Sequence, residues 1–200
     1  MTVEQLQTQL ELRAVTPPAW CDAVRADFGK FLLDHASAER KASAMAVSFV
    51  VQYPDKYELH TPLIRLAREE LLHYQQVMQL IHQRNLIWER DEKDPYIKDL
   101  SARLSTDRRL RLLDRLMLGA VVEARGVERF GLVGEILTDD DPELSRFYAR
   151  LARSEANHAD LFVELAANFF EPAEIDTARD RWLDWEAAAM QSVPPRAALH

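Results

Sequence analysis

Two short patterns restrict this chain more than any other feature of its sequence. Glu70-Leu71-Leu72-His73 and Glu155-Ala156-Asn157-His158 are both Glu-x-x-His, and each follows a lone glutamate, Glu39 or Glu123, at 31 and 32 positions. Residues i and i+3 share a helix face, so each pattern offers a carboxylate and an imidazole in one direction. All four glutamates fall on apolar helical stripes, where an uncompensated carboxylate costs several kcal/mol. With seventeen glutamates and six histidines, a shuffled chain of this length would hold roughly half of one such pattern. Two, in register with two further glutamates, call for one explanation. Four carboxylates balance two divalent cations, so a dinuclear site would be neutral and could be buried. Oxygen and nitrogen donors without thiolate suit iron or manganese.

Helix signals place these residues. Thr16-Pro17 opens a short helix to about Asp27, which breaks near Gly29 and resumes to Tyr53, where Pro54 stops it. Its inner stripe is Leu32, Ala36, Glu39, Ser43, Ala46 and Val50. Thr61-Pro62 starts a second long helix to about Arg84, with Glu70 and His73 on its seam. Residues 85–104 read as a connection with a helical turn. A third long helix runs from Thr106 or Asp107 to the Gly131 and Gly134 region with Glu123 inside, and a fourth starts at Asp141-Pro142 with Glu155 and His158 inside. After Pro172 a fifth presents Ile175, Trp182, Trp185 and Ala189.

The expected fold is therefore all-α. One glutamate from each of two helices plus Glu-x-x-His from each of two others is the ligand inventory of ferritin-like dimetal bundles. This predicts a ferritin-like four-helix bundle with a short N-terminal and an additional C-terminal helix. A single domain over 1–200 is expected, with residues 1–16 a loosely ordered lead-in and 192–200 a loosely ordered tail. One cysteine, Cys21, excludes a cysteine-rich iron domain and reads as a small core hydrophobe. No segment reads as a signal peptide or membrane span, which predicts a cytoplasmic protein without a membrane partner. His35, one turn before Glu39, reads as a satisfied core or rim histidine able to hydrogen-bond a ligand. His60, His82 and His200 read as surface residues, and Glu69 as a solvated charge.

The wording around the ligands resembles the bacterial tRNA 2-methylthio-N6-isopentenyladenosine hydroxylases, a non-haem diiron family. The similar runs are Leu33–Val47 (LDHASAERKASAMAV), Glu69–Arg84 (EELLHYQQVMQLIHQR), Glu123–Phe130 (EARGVERF) and Arg146–His158 (RFYARLARSEANH). The resemblance implies two iron ions on Glu39, Glu70, His73, Glu123, Glu155 and His158. It also implies dioxygen as co-substrate, an external electron donor, and hydroxylation of the isopentenyl side chain of a hypermodified adenosine beside the anticodon. The partners implied are that tRNA and an electron-transfer protein.

Net charge of −8 argues against a general nucleic-acid coat, so tRNA contact must be local. Arg108, Arg111 and Arg115 are the candidate phosphate contacts, in an arginine-rich stretch that also holds Arg125 and Arg129. Other diiron oxidations of lipid-like or aldehyde substrates, and iron oxidation and storage, use related ligand sets and stand as alternatives.

Overall fold

Aspartate caps set most of the helix starts. Asp27, Asp94, Asp107 and Asp141 each accept a hydrogen bond from a backbone N–H two or three residues on, satisfying donors that a helix N-terminus leaves unpaired. The computed structural model describes residues 8–200, which form seven helices and no strand. These are α1 (Pro18–Ala26), α2 (Phe28–Gln52), α3 (Tyr57–Gln83), α4 (Pro95–Ala102), α5 (Arg108–Ile136), α6 (Pro142–Ala166) and α7 (Pro172–Ser192).

The described chain divides into two compact units. One is built on residues 23–92, with 196–199 added; the other comprises the N-terminal segment to Asp22, residues 93–195 and His200. In the first unit, α2 and α3 form an antiparallel hairpin across the short turn at Tyr53–Lys56. Phe31, Leu32, Ala36, Ala46 and Phe49 of α2 and Leu59, Leu63 and Val77 of α3 are buried in its core. In the second, α5 and α6 form the corresponding hairpin, and α7 packs on α5 and α4. α5 is buried on nearly every side. Its glycines permit that closeness: a Cβ on Gly119 would lie 2.9 Å from the Phe162 ring, and one on Gly134 would lie 3.3 Å from the Ser145 carbonyl oxygen.

Several boundaries differ from the sequence reading. The break between the first two helices falls at Asp27, because its carboxylate caps α2 through Lys30 N–H at 2.9 Å. The second long helix begins at Tyr57 with Pro62 inside it, since burial of Leu59 anchors a first turn ahead of the proline. α5 runs through Gly131 and Gly134 to Ile136, where tertiary packing overrides low glycine propensity.

The expected loose ends are tied down where they are described; residues 1–7 of the lead-in lie outside the described residues. Leu10 and Ala14 are buried, Arg13 pairs with Asp180, and Thr16 donates from its hydroxyl to Glu128 at 2.6 Å. In the tail, Ala197, Ala198 and Leu199 are buried, and Leu199 N–H donates to Asp34 at 2.7 Å. His200 is buried rather than at the surface and stacks on Tyr96, with ring centroids 5.4 Å apart. Cys21 is half-buried instead of core.

Candidate metal centre

All six sequence-predicted ligands are buried. In the α2–α3 unit, the stripe that buries Leu32 and Ala36 also carries Glu39 and Ser43 inward. The Ser43 hydroxyl donates to the Ala67 carbonyl at 2.8 Å, fixing α2 against α3 where Glu39 faces Glu70 and His73. His73 Nδ1 lies 3.4 Å from Glu70 Oε2 and 3.7 Å from Glu39 Oε2. One donor atom from each of the three residues fits within 4.8 Å of the others. His35, buried one turn before Glu39, holds its Oε1 through Nε2 at 2.7 Å, which fixes that carboxylate's rotamer.

The α5–α6 unit repeats the arrangement. Glu123 comes from α5, Glu155 and His158 from successive positions on one face of α6, and one donor atom of each again lies within 4.8 Å of the others. His158 Nδ1 is 2.7 Å from Glu155 Oε2. Gly126 lets α5 pass close to this face, its hypothetical Cβ only 3.8 Å from Glu155 Cγ.

Each unit therefore presents two carboxylates and one imidazole, all deprived of bulk water. Three such donors match one divalent ion bound by oxygen and nitrogen, and the twofold repetition matches two. The donor set fits a carboxylate-rich diiron site.

The arginine-rich stretch is rearranged by the fold. Arg108 and Arg111 are exposed at the start of α5, but Arg115, Arg125 and Arg129 are buried and cannot meet a phosphate. Sequence periodicity did not separate them because α5 is enclosed on nearly every side. Arg125 instead makes a bidentate pair with Glu186 of α7, Nε to Oε1 at 2.8 Å and Nη2 to Oε2 at 2.9 Å, both residues fully buried. Nη2 also donates to the Ala14 carbonyl, and Nη1 pairs with Glu128. Burial alone would lower the Arg125 pKa, yet its hydrogen bonds and charge pairing with Glu186 hold it above the ordinary value. Burial, with the Arg125 charge beside it, lowers the Arg129 pKa to about 10. Burial next to Glu186 pushes Tyr96, whose hydroxyl donates to that carboxylate at 3.0 Å, well above its usual value. Sequence reasoning missed Glu186. The available signal was a charged residue between Trp182 and Ala189 on the inner face of the last helix.

No helix among the described residues is long and apolar enough to cross a membrane. The family model for tRNA-(MS2IO6A)-hydroxylase (MiaE) matches residues 3–200. The chain belongs to the MiaE family. A MiaE-family relative from Pseudomonas putida, named tRNA 2-(methylsulfanyl)-N(6)-isopentenyladenosine(37) hydroxylase, is 37% identical over 160 residues, 80% of this chain and 77% of the relative. A protein of the same name from Salmonella typhimurium is 34% identical over 134 residues, 67% of this chain but 48% of its own length. Among solved structures, a Synechococcus protein with aldehyde deformylating oxygenase activity superimposes with a TM-score of 0.88 at 31% identity, covering 94% of each chain. The MiaE-family chain thus has the all-helical ferritin-like bundle fold expected from its ligand pattern, with the short N-terminal helix α1 and the additional C-terminal helix α7.

Proposed function

We propose that this chain hydroxylates the isopentenyl side chain of 2-methylthio-N6-isopentenyladenosine next to the anticodon of tRNA. The observation that carries the reading is the family match over residues 3–200 of a chain whose two helix hairpins each bury a Glu, Glu, His donor set. In this reading Glu39, Glu70 and His73 join Glu123, Glu155 and His158 to hold two iron ions, and the four carboxylates neutralise the four positive charges. Such a centre, when bound, supplies oxidation of an unactivated C–H bond with dioxygen and two electrons from an external donor.

The chain's own residues position and insulate that chemistry. His35 restrains Glu39 through one oxygen and leaves the other, Oε2, directed at His73. Nδ1 is the ring nitrogen facing the carboxylates in both His73 and His158, and it is the nitrogen that would hold a metal there, leaving Nε2 for an outer partner. Burial of all six excludes water from the ligand atoms and keeps the carboxylates' charge effective. For docking, exposed Arg108 and Arg111 remain from the original set. Arg115 drops out. Arg109 is held by Glu174, with Nη1 at 2.8 Å from Oε1. Most of the affinity for RNA would come from phosphate contacts, and the modified base would be presented from a single-stranded loop. Such a substrate places the protein in the cytoplasm.

The test is mass spectrometry of nucleosides from modified tRNA incubated with iron-loaded protein, oxygen and a reductant. A gain of one oxygen on the isopentenyl nucleoside is expected. No gain from protein shown to consume oxygen would refute the substrate. Because a solved neighbour acts as an aldehyde deformylating oxygenase, a long-chain aldehyde is the parallel substrate. Loss of formate carbon from that aldehyde, with tRNA untouched, would establish the second reading.

A further inference from the structure

The two hairpins carry the same donors on different supports. Aligned on their lone glutamates, Glu39 of α2 and Glu123 of α5, the residue one turn before is His35 in α2 and Gly119 in α5. The residue one turn after is Ser43 in α2 and Val127 in α5. Both α2 residues are buried and hydrogen-bonded: His35 Nε2 lies 2.7 Å from Glu39 Oε1, and the Ser43 hydroxyl donates to the Ala67 carbonyl of α3 at 2.8 Å. Glycine and valine have no side-chain donor to put in their places. In the α5–α6 hairpin the space at position 119 is taken from the opposite helix. A Cβ there would lie 2.9 Å from the ring of Phe162, one turn beyond His158, whereas one turn beyond His73 stands the smaller Val77. The layer next to the ligands thus holds an imidazole from α2 in one hairpin and a phenyl ring from α6 in the other.

We infer that His35 makes the two ion positions unequal, so that the α2–α3 position takes up its ion first and more tightly than the α5–α6 position. The inference rests on the reading that the two donor sets hold two iron ions. A ligating glutamate is ionised and only accepts hydrogen bonds, so the proton between His35 and Glu39 sits on Nε2. The donor is itself fixed: His35 is fully buried, and its ring lies 5.9 Å from that of Phe31 between centroids. Glu39 therefore has one oxygen engaged before any ion arrives, and Oε2 is the oxygen set toward His73, 3.7 Å from Nδ1. A glutamate side chain loses rotamer freedom when an ion fixes it, and a side chain already held loses less, which strengthens binding. Ser43 adds to this by locking α2 to α3 one turn on, so the backbone that carries Glu39 is held against the helix that carries Glu70 and His73. Phe162 packs against Gly119 and excludes water, but a phenyl ring offers a carboxylate no hydrogen bond. Hydrogen-bonding partners of metal ligands set affinity by about 10–100-fold.

The test is calorimetric titration of the chelator-stripped full chain with Fe2+ under anaerobic conditions, so that binding is read without turnover. Wild type is expected to bind two ions in two resolved steps. His35→Leu, which keeps bulk and removes the donor, should weaken the tighter step by about 10–100-fold and leave the weaker step in place. His35→Gln, whose amide N–H can reach the same oxygen, should restore the tighter step. Glu123→Ala assigns the steps to hairpins: it should lose the weaker one and keep the tighter one at wild-type affinity. Thermal melting of the stripped variants separates ligand positioning from packing. Two equal steps in wild type, a tighter step unmoved by His35→Leu, or its loss in Glu123→Ala would overturn the inference. So would a parallel weakening of both steps in His35→Leu and His35→Gln together with a lower melting temperature, which would mark His35 as a packing residue. Failure of the two-iron reading shows separately, as wild-type protein that does not take up two ions at all.

Discussion

Replacing Glu186 by Gln removes one charge from the buried pair that ties α7 to α5. Glu186 and Arg125 are fully excluded from solvent and joined by two hydrogen bonds of 2.8 and 2.9 Å. The Gln side chain preserves shape and can still accept from the Tyr96 hydroxyl, so packing changes little. The guanidinium, however, keeps its charge, because an arginine does not lose its proton at neutral pH, and so it cannot escape the penalty. Glu128 supplies partial compensation through Nη1. Breaking a buried pair by removing one partner costs about 3–5 kcal/mol. At about 2–4 °C per kcal/mol for a chain of this size, the midpoint should fall by roughly 6–20 °C. The double replacement R125M/E186L removes both charges and should be less destabilised than E186Q alone, because no guanidinium is left there without its carboxylate. Differential scanning calorimetry of metal-free wild type, R125M, E186L and R125M/E186L closes the cycle, with E186Q measured beside them. A cost below about 1 kcal/mol for E186Q, or a double variant equal to the sum of the singles, would refute the assignment of an uncompensated charge.

Glu123→Ala should lower iron stoichiometry, measured by metal analysis, yet leave the chelator-treated protein at least as stable as wild type, since it removes one of two neighbouring carboxylates. A large loss of metal-free stability would point to a structural ion-pair network. Gly119→Ala forces a methyl against the Phe162 ring and should cost about 1–3 kcal/mol in chemical denaturation; an unchanged midpoint would mean the ring moves freely. The Arg109 guanidinium hydrogen-bonded to Glu174, with the Glu171 backbone N–H, holds that carboxyl at about 2 in the folded protein against an ordinary value of 4.5. Its folded value is depressed, so its contribution is present above pH 4.5 and is lost as pH falls toward 2. Carboxyl-carbon NMR titration should show that midpoint and its return toward the ordinary range in Arg109→Gln; an unmoved midpoint would discard the pair as its cause.

What the sequence determined by itself is local or strictly periodic. Asp94, Asp107 and Asp141 stand where a side-chain oxygen can cap the next helix, and the structure uses all three. Glu39, Glu70, His73, Glu123, Glu155 and His158 were legible because a charged residue on an apolar stripe contradicts its surroundings and needs a partner, and the repeated spacing named those partners. All six are buried, three within each hairpin. The arginines of α5 carried no comparable contradiction. Arg108 and Arg111 are exposed while Arg115, Arg125 and Arg129 are enclosed, a division set by where α7 and the N-terminal segment lie. Glu186 pairs with Arg125 across 61 positions of chain, and Leu199 reaches Asp34 across 165, so no short-range pattern could announce either contact. Helix caps and stripes depend on neighbours within a turn or two and are written in the sequence; the fate of an individual charge depends on which distant segment covers it, and only tertiary packing decides that.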